Sequence, residues 1–237
     1  MRAILHNLNS GELSLADAPL MRGGAAHWTI RTRCSLISAG TERMLLEFGK
    51  AGWLSKVRQQ PDKVRQVLEK VGTDGVLPTW EAVRAKLDQP IALGYANAGV
   101  VLEGNTIAAG TRVVSNGAHA EAVRVPVNLC AVIPEVVSDE EAAFTVVASI
   151  ALQGVRLVQP TLGEAMAVTG LGLIGLIAVQ LLRASGCRVL GIDFDPAKLE
   201  LAQRWGAETV DLSAGEDPVA AAERFTRGRG LDGVLIT

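Results

Sequence analysis

The chain has 237 residues, in which 23 Lys and Arg stand against 25 Asp and Glu and leave a formal net charge of −2. This balance excludes a strongly basic nucleic-acid binder and a polyanionic disordered tail. Apolar residues make up 49% of the chain and charged residues only 20%, a composition typical of a globular protein with a buried core.

Residues 1–138 are predicted to form a β-rich domain. Short runs rich in β-branched and other apolar residues are separated by glycines that mark turns. Strands are expected at Arg2–Leu5, Trp28–Ser35, Gly99–Leu102, Thr111–Val114 and Ala122–Val125.

A helical insertion is predicted within this domain, at about residues 42–90. Val64, Val67 and Val71 recur at helical spacing. Its basic residues outnumber nearby acids, which suits a cleft entrance for an anionic sugar derivative, although a solvated helix face is the more usual explanation. Exposure of Trp53 or Trp80 would favour the cleft entrance.

Residues 139–237 show strand and helix patterns in alternation, which predicts βαβ units around a parallel sheet. The expected strands are 165–169, 188–192, 209–212 and 233–237. The uncharged run 165–182 divides into a buried strand and a buried helix, so we do not expect a membrane span. A complete sheet of this type has six strands, so the fold class is α/β with an incomplete Rossmann sheet, which suggests truncation.

A glycine turn follows the first of these strands and opens the next helix. Gly170, Gly172 and Gly175 form G-x-G-x-x-G, in which the glycines permit a tight turn, close approach of a pyrophosphate, and close packing of helix on strand. Asp193 ends the second strand, where an acid binds an adenosine ribose and favours NAD over NADP. Lys198 is a secondary candidate for a ribose hydroxyl, and a solvated lysine is equally compatible with its position. Relief of crowding in a buried helix would also explain the glycines, but not the order of all these elements.

Several segments carry a family resemblance: GLGLIG (170–175), LGYANAGVV (93–101), GTRVV (110–114), AHAEAVRVP (118–126) and EEAAF (140–144). The chain resembles the medium-chain dehydrogenase/reductase superfamily, which places a GroES-like β domain before a Rossmann domain. The segments SLISAGTERM and AKLDQPIALGY look like the dehydrogenase half of bi-domain oxidoreductases, which often carry a glucose-fructose oxidoreductase-like unit downstream. The resemblance implies hydride transfer on a small-molecule substrate, and it also implies a homodimer of the full-length protein.

The zinc ligands of the zinc-dependent members are not matched. Their positions correspond to Ala39, Tyr95 and an apolar residue near Val147, and the few histidines and cysteines are scattered along the chain. A catalytic zinc needs three converging protein ligands, so no metal is expected.

Without a metal, a proton-exchanging group is still needed beside the reacting oxygen. Tyr95, the only tyrosine, and Thr41, which matches a proton-relaying hydroxyl in zinc relatives, are the candidate catalytic residues. The alternatives are a packing role for Tyr95 and a helix N-cap at Thr41 before Glu42. His119 has a suitable titration range, but a structural or solvent-facing histidine is favoured.

The sequence therefore predicts a zinc-independent, NAD-dependent oxidoreductase acting on an alcohol, sugar or carbonyl. Two other functions stay open: a nucleotide-binding sensor or scaffold without catalysis, and a quinone-reductase-like enzyme that reduces enones. Three cysteines are too few for a disulfide framework and the amino terminus lacks an apolar export signal, so a cytoplasmic location is expected.

Overall fold

The computed structural model of the chain describes residues 1–20, 24, 26–50 and 85–237. The described residues fall into two units, Met1–Ala143 and Phe144–Thr237. Most of the predicted helical insertion, with Trp53 and Trp80, lies outside the described residues. Its beginning is helical, since helix α1 spans Ala39–Lys50.

The first unit contains two antiparallel sheets. The strands and the short helix that closes the unit are β1 (Arg2–His6), β2 (Leu13–Asp17), β3 (His27–Ser35), β4 (Ile91–Ala92), β5 (Asn97–Glu103), β6 (Arg112–Ser115), β7 (Ala122–Pro126), β8 (Cys130–Val132) and α2 (Asp139–Ala143). One sheet has three strands in the order β2-β1-β4, and the other has five in the order β7-β3-β5-β6-β8. A bridge between Ala3 and Ala120 joins the first sheet to the segment that precedes β7.

The core of this unit lies on one face of the five-stranded sheet. Inward-facing side chains alternate with outward-facing ones along the strands, as the two-residue period of a strand requires. The buried cluster comprises Trp28, Ile30, Val101, Val113, Val123 and Val125. A second cluster packs α2 against β5 and β6 through Ala98, Val114, Ala142 and Ala143.

The second unit is a parallel sheet with helices between its strands. The strand order is β11-β10-β9-β12, so the chain moves outward from β9 to β11 and then returns to the other side of β9. Numbered within this unit the order is 3-2-1-4, which matches the first four strands of the doubly wound order 3-2-1-4-5-6. Its elements are α3 (Thr145–Val158), β9 (Ala165–Thr169), α4 (Leu173–Ala184), β10 (Arg188–Asp193), α5 (Pro196–Arg204), β11 (Glu208–Asp211), α6 (Pro218–Thr226) and β12 (Gly233–Ile236).

Both faces of this sheet are covered. Met166, Val168 and Val189 pack on one side in a cluster with residues of α3 and α4, while Ala167 and Leu190 pack on the other side with α6. Strands buried on both faces need an almost continuous apolar sequence, which explains the uncharged run that includes β9. In the described part of the chain, no helix has the length and apolar character needed to span a membrane.

Candidate functional site

The glycine turn occupies the carboxyl end of β9. Gly170 has a φ of +86°, a left-handed conformation that glycine adopts without strain. A Cβ on Gly175 would lie 1.9 Å from the carbonyl oxygen of Gly170, so only glycine allows α4 to pack this closely on the strand. Gly172 precedes the first residue of α4, and a Cβ there would meet no atom within 4 Å. The turn is therefore constrained at its two ends and open in the middle.

Asp193 ends β10 and faces this turn. Its Oδ2 accepts a hydrogen bond of 2.6 Å from the Leu171 backbone N–H, and its Oδ1 accepts from the N–H groups of Phe194 and Asp195. Burial acts to raise the pKa of Asp193, but these hydrogen bonds and the charge of Lys198 outweigh it, so the pKa lies below its usual value. The side chain is therefore an ionised acceptor at neutral pH.

Lys198 lies beside this carboxylate. Its Nζ is 3.8 Å from Asp193 Oδ1 and 3.6 Å from Asp195 Oδ2, and its side chain is 41% exposed. Lys198 thus lies next to Asp193, the other residue that was predicted to contact the ribose.

These residues fit the adenosine and pyrophosphate portions of a dinucleotide. The open position Gly172 directly precedes α4, and the leading N–H groups of a helix have no intrahelical acceptor and attract an anion. The adjoining carboxylate of Asp193 offers acceptors of the kind that bind ribose hydroxyls. β9 lies between β10 and β12, which is the point where the strand order reverses and where ligands bind in sheets of this type.

The predicted catalytic residues lie together in the first unit. Tyr95 Oη donates a hydrogen bond of 2.7 Å to Ser38 Oγ and lies 3.5 Å from Thr41 Oγ1. The Thr41 contact is long, so Ser38 is the principal partner of the phenol.

The N-cap position belongs to Ser38 and not to Thr41. Helix α1 begins at Ala39, and the Ser38 carbonyl accepts the first helical hydrogen bond from the Glu42 N–H at 2.9 Å. The alternative interpretation of Thr41 as an N-cap is wrong, because the helix begins two residues earlier. Thr41 lies instead within the first turn.

A buried polar network adjoins this pair. Glu42 Oε1 accepts from the Ser38 backbone N–H at 2.8 Å, and Glu42 Oε2 lies 3.1 Å from His119 Nε2. His119 Nδ1 lies 2.8 Å from Ser35 Oγ. The side chains of Glu42 and His119 are each only 6% exposed. This burial agrees with a structural histidine at position 119 and not with a solvent-facing one.

Sequence analysis did not identify Ser38 or Glu42 as part of the site. A serine directly before a helix, with an acid in the first turn, is a recognised signal for a helix N-terminus and would have identified the cap. The contact between Glu42 and His119 joins residues 77 positions apart and has no local signal.

The zinc that zinc-type relatives carry does not fit the described residues. All three histidines and all three cysteines lie within them, and no group of three or more His, Cys, Asp or Glu in this part of the chain is placed to hold a metal ion. Ala39 has no ligating atom, Tyr95 is bonded to Ser38, and Val147 is fully buried and apolar.

Comparison with protein families finds dehydrogenases that match part of this chain. The family model described as "Zinc-binding dehydrogenase" matches residues 174–237. An alcohol dehydrogenase of a Moraxella species is 30% identical over 123 residues, which are 52% of this chain and 36% of that protein. An (R,R)-butanediol dehydrogenase of Bacillus subtilis is 32% identical over 117 residues, 49% of this chain and 34% of that protein. The matched segments thus span about a third of these relatives.

Solved structures extend the similarity to both units. An alcohol dehydrogenase from a Thermus species aligns with a TM-score of 0.75 at 20% identity, covering 100% of this chain and 70% of its own. A quinone oxidoreductase from Thermus thermophilus, determined also with NADPH, aligns with a TM-score of 0.68 at 25% identity, covering 99% of this chain and 65% of its own. The α/β fold class and the pairing of a GroES-like β unit with a Rossmann-type unit are therefore confirmed.

Proposed function

We propose, on the premise that the chain belongs to the medium-chain dehydrogenase/reductase superfamily, that it is an NAD(H)-dependent oxidoreductase that uses no zinc. Its substrate class is an alcohol, a sugar or a carbonyl compound. The observation that carries the proposal is the pairing of the open glycine turn with the Asp193 carboxylate at the carboxyl ends of β9 and β10. The superfamily relatives support a nicotinamide cofactor, and the preference for NAD rests on Asp193.

Asp193 supports NAD because its pKa lies below the usual value, which keeps the carboxylate charged. A 2′-phosphate on the ribose would bring a second negative charge against this group, whereas a free hydroxyl pair offers it hydrogen-bond donors. Lys198, less than 4 Å from Asp193, is assigned to the neighbouring ribose hydroxyl. The N-terminus of α4 is assigned to the pyrophosphate.

The proposed catalytic residues are Tyr95 and Thr41. The bound nicotinamide supplies or accepts the hydride, so the chain has to supply a group that exchanges a proton with the substrate oxygen. The phenol O–H donates to Ser38 Oγ at 2.7 Å. In the proposed arrangement with substrate, Tyr95 Oη donates to the substrate oxygen instead, and the Ser38 hydroxyl donates to the phenol oxygen and holds it in position. Thr41 Oγ1, 3.5 Å from the phenol, is the second hydroxyl within reach of the same oxygen.

Zinc independence is proposed from the chemistry of the residues at the ligand positions. An alanine methyl, a phenol engaged with a serine and a buried valine do not form the sulfur and nitrogen ligand set that Zn²⁺ prefers. The proposed reaction therefore relies on hydrogen-bond donors where zinc-type relatives rely on a Lewis acid.

The direct test is a pair of fluorescence titrations, with NADH and with NADPH, on the protein and on two variants. Asp193→Asn removes the charge beside the glycine turn, and Asp211→Asn removes the charge of the residue in register with it on β11. We expect Asp193→Asn to weaken NADH binding by roughly 10-fold, as the loss of a charged hydrogen bond predicts, and to weaken NADPH much less. Equal effects of the two variants on NADH would contradict the assignment of Asp193.

Two alternatives are separated by turnover. Tight NADH binding without turnover over a panel of alcohols, sugars and ketones would favour a nucleotide-binding sensor or scaffold. Preferential reduction of enones with NADPH would favour a quinone-reductase-like activity, a candidate supported by the 25% identity to the quinone oxidoreductase.

A further inference from the structure

We propose that Glu42 and His119 form a buried dyad that positions Tyr95 and Ser38. The proposal rests on the proposed function of Tyr95 as the proton-exchanging group. Neither member of the dyad is assigned to contact substrate, so both are positioning residues.

The dyad is a buried pair in which both carboxylate oxygens and both ring nitrogens have a hydrogen-bond partner. A carboxylate oxygen only accepts, so the ring hydrogen of the 3.1 Å contact belongs to His119 Nε2. His119 Nδ1 then accepts from the Ser35 hydroxyl at 2.8 Å, which fixes the orientation of the ring. Such a buried pair is costly to break, since removal of one partner leaves the other polar group without a hydrogen bond.

Glu42 attaches the dyad to Ser38. Its Oε1 accepts from the Ser38 backbone N–H at 2.8 Å, while the Ser38 carbonyl accepts from the Glu42 N–H at 2.9 Å. One is the first backbone bond of the helix and the other is a side-chain bond, and together they hold both the C=O and the N–H of Ser38. The position of the Ser38 backbone, from which Oγ reaches Tyr95, is therefore held by Glu42.

His119 attaches the dyad to Tyr95 through packing. A Cβ on Gly94, the residue directly before Tyr95, would lie 2.5 Å from the His119 Cδ2, so the ring rests against the backbone there. The backbone N–H of His119 also donates to the Leu93 carbonyl at 2.7 Å. Gly94 has a φ of +90°, so the chain bends around the ring immediately before the phenol. Both partners of the bond between Tyr95 and Ser38 are thus held by one dyad.

The geometry supports positioning rather than proton relay. The path from the Ser38 hydroxyl to Glu42 passes through a backbone N–H, which does not exchange its proton in a catalytic cycle. Loss of the dyad is therefore expected to displace the phenol without removing the group that exchanges a proton with the substrate oxygen.

Tyr95 is the only tyrosine in the chain, so selective ¹³Cζ-tyrosine labelling gives one NMR resonance that reports on its phenol alone. We expect Glu42→Ala and His119→Ala to shift or broaden this resonance, because the hydrogen bond to Ser38 is disturbed. Glu42→Gln retains an acceptor for the Ser38 N–H. Its amide NH2 pairs with His119 Nε2 when the ring takes the other tautomer, in which Nδ1–H donates to Ser35 Oγ, so the resonance should stay near the original position. In the active protein, Glu42→Ala should lower kcat by roughly 10- to 100-fold, the size expected for misplacement of a reacting group, without changing the Kd of NADH.

Two controls separate positioning from general destabilisation. Glu47→Ala makes the same substitution on an exposed turn of α1, and Asp139→Ala breaks ion pairs with Arg33 and Arg112 elsewhere in the unit. Neither should move the Tyr95 resonance. If Glu42→Ala does not fold, His119→Gln removes the ring over Gly94 and decides the same question.

An unchanged Tyr95 resonance in folded Glu42→Ala or His119→Gln would overturn the dyad proposal, whatever the activity shows. Unchanged turnover in Tyr95→Phe would overturn the proposed role of Tyr95, but it would not affect the NMR result. The two failures are therefore distinguishable.

Discussion

Two glycines of the same turn are expected to respond in opposite ways to alanine. Gly172→Ala should leave the fold intact and weaken dinucleotide binding, whereas Gly175→Ala should damage the fold itself. The difference follows from the surroundings of the added methyl group, which meets nothing within 4 Å at Gly172 but lies 1.9 Å from the Gly170 carbonyl oxygen at Gly175.

The magnitudes follow from these distances. Gly172 has φ −69° and ψ −169°, a conformation open to any residue. Alanine there should stabilise the folded protein by ~0.4–1 kcal/mol, because it lowers the conformational entropy of the unfolded chain. It loses a comparable amount as a poorer N-cap, so the free energy of unfolding should change by less than about 1 kcal/mol. At Gly175 the backbone has to retreat by about 1 Å to clear the methyl group, and overpacking of this kind costs ~1–3 kcal/mol or more.

Urea unfolding and NADH fluorescence titration, run on both variants, measure the two effects separately. For Gly172→Ala we expect wild-type stability and a Kd at least roughly 10-fold higher, because the methyl group enters the space through which the pyrophosphate approaches α4. For Gly175→Ala we expect a lowered urea midpoint. Wild-type NADH affinity in Gly172→Ala would refute the assignment of this turn to the pyrophosphate.

Three further outcomes are expected. Tyr95→Phe should lower kcat by roughly 100-fold, as removal of a general acid–base group does, and leave the Kd of NADH unchanged; equal turnover would exclude the phenol from the reaction. Because the folded-state pKa of Asp193 is lowered, its contribution to stability is present above its unfolded pKa of about 3.9 and is lost as pH falls through the folded value. Asp193→Asn should therefore flatten the acid limb of a urea-stability profile, and an unaltered limb would contradict this. Turnover should survive dialysis against a chelator, and stoichiometric zinc in the purified protein would count against zinc independence.

Much of the fold was predictable because its signals are local. The strand predicted at 165–169 is β9, an apolar run whose end is marked by Gly170. Strand β2, by contrast, was not predicted. It is a five-residue strand at a sheet edge, and its Leu13 and Leu15 are more than half exposed. An edge strand that buries no apolar face has too short and too weak a hydrophobic pattern to be recognised.

The two parts of the candidate site differ in the same way. The glycine turn and Asp193 are joined by one βαβ unit whose geometry the motif specifies, so their proximity followed from spacing. Tyr95 meets Ser38 across 57 positions, and that contact depends on how the chain between them folds. The family resemblance, which sets Tyr95 at a zinc-ligand position, and its hydroxyl suggested it as a candidate, but only the structure gives it a partner.

The hydrogen-bonding partners of Tyr95 constrain the kind of substrate that the proposed reaction can use. A metal ion stabilises charge developing on a substrate oxygen with its own positive charge, whereas a phenol does so through one neutral hydrogen bond, and loss of such a donor costs ~2.7–4 kcal/mol. The phenol held by Ser38 at 2.7 Å belongs to the second class. A donor of this strength is most effective when the substrate itself shares the charge, as an activated ketone or an enone does, and least effective for a simple alkoxide. Within the proposed substrate class, carbonyl compounds bearing electron-withdrawing or conjugated groups should therefore turn over faster than unactivated ones.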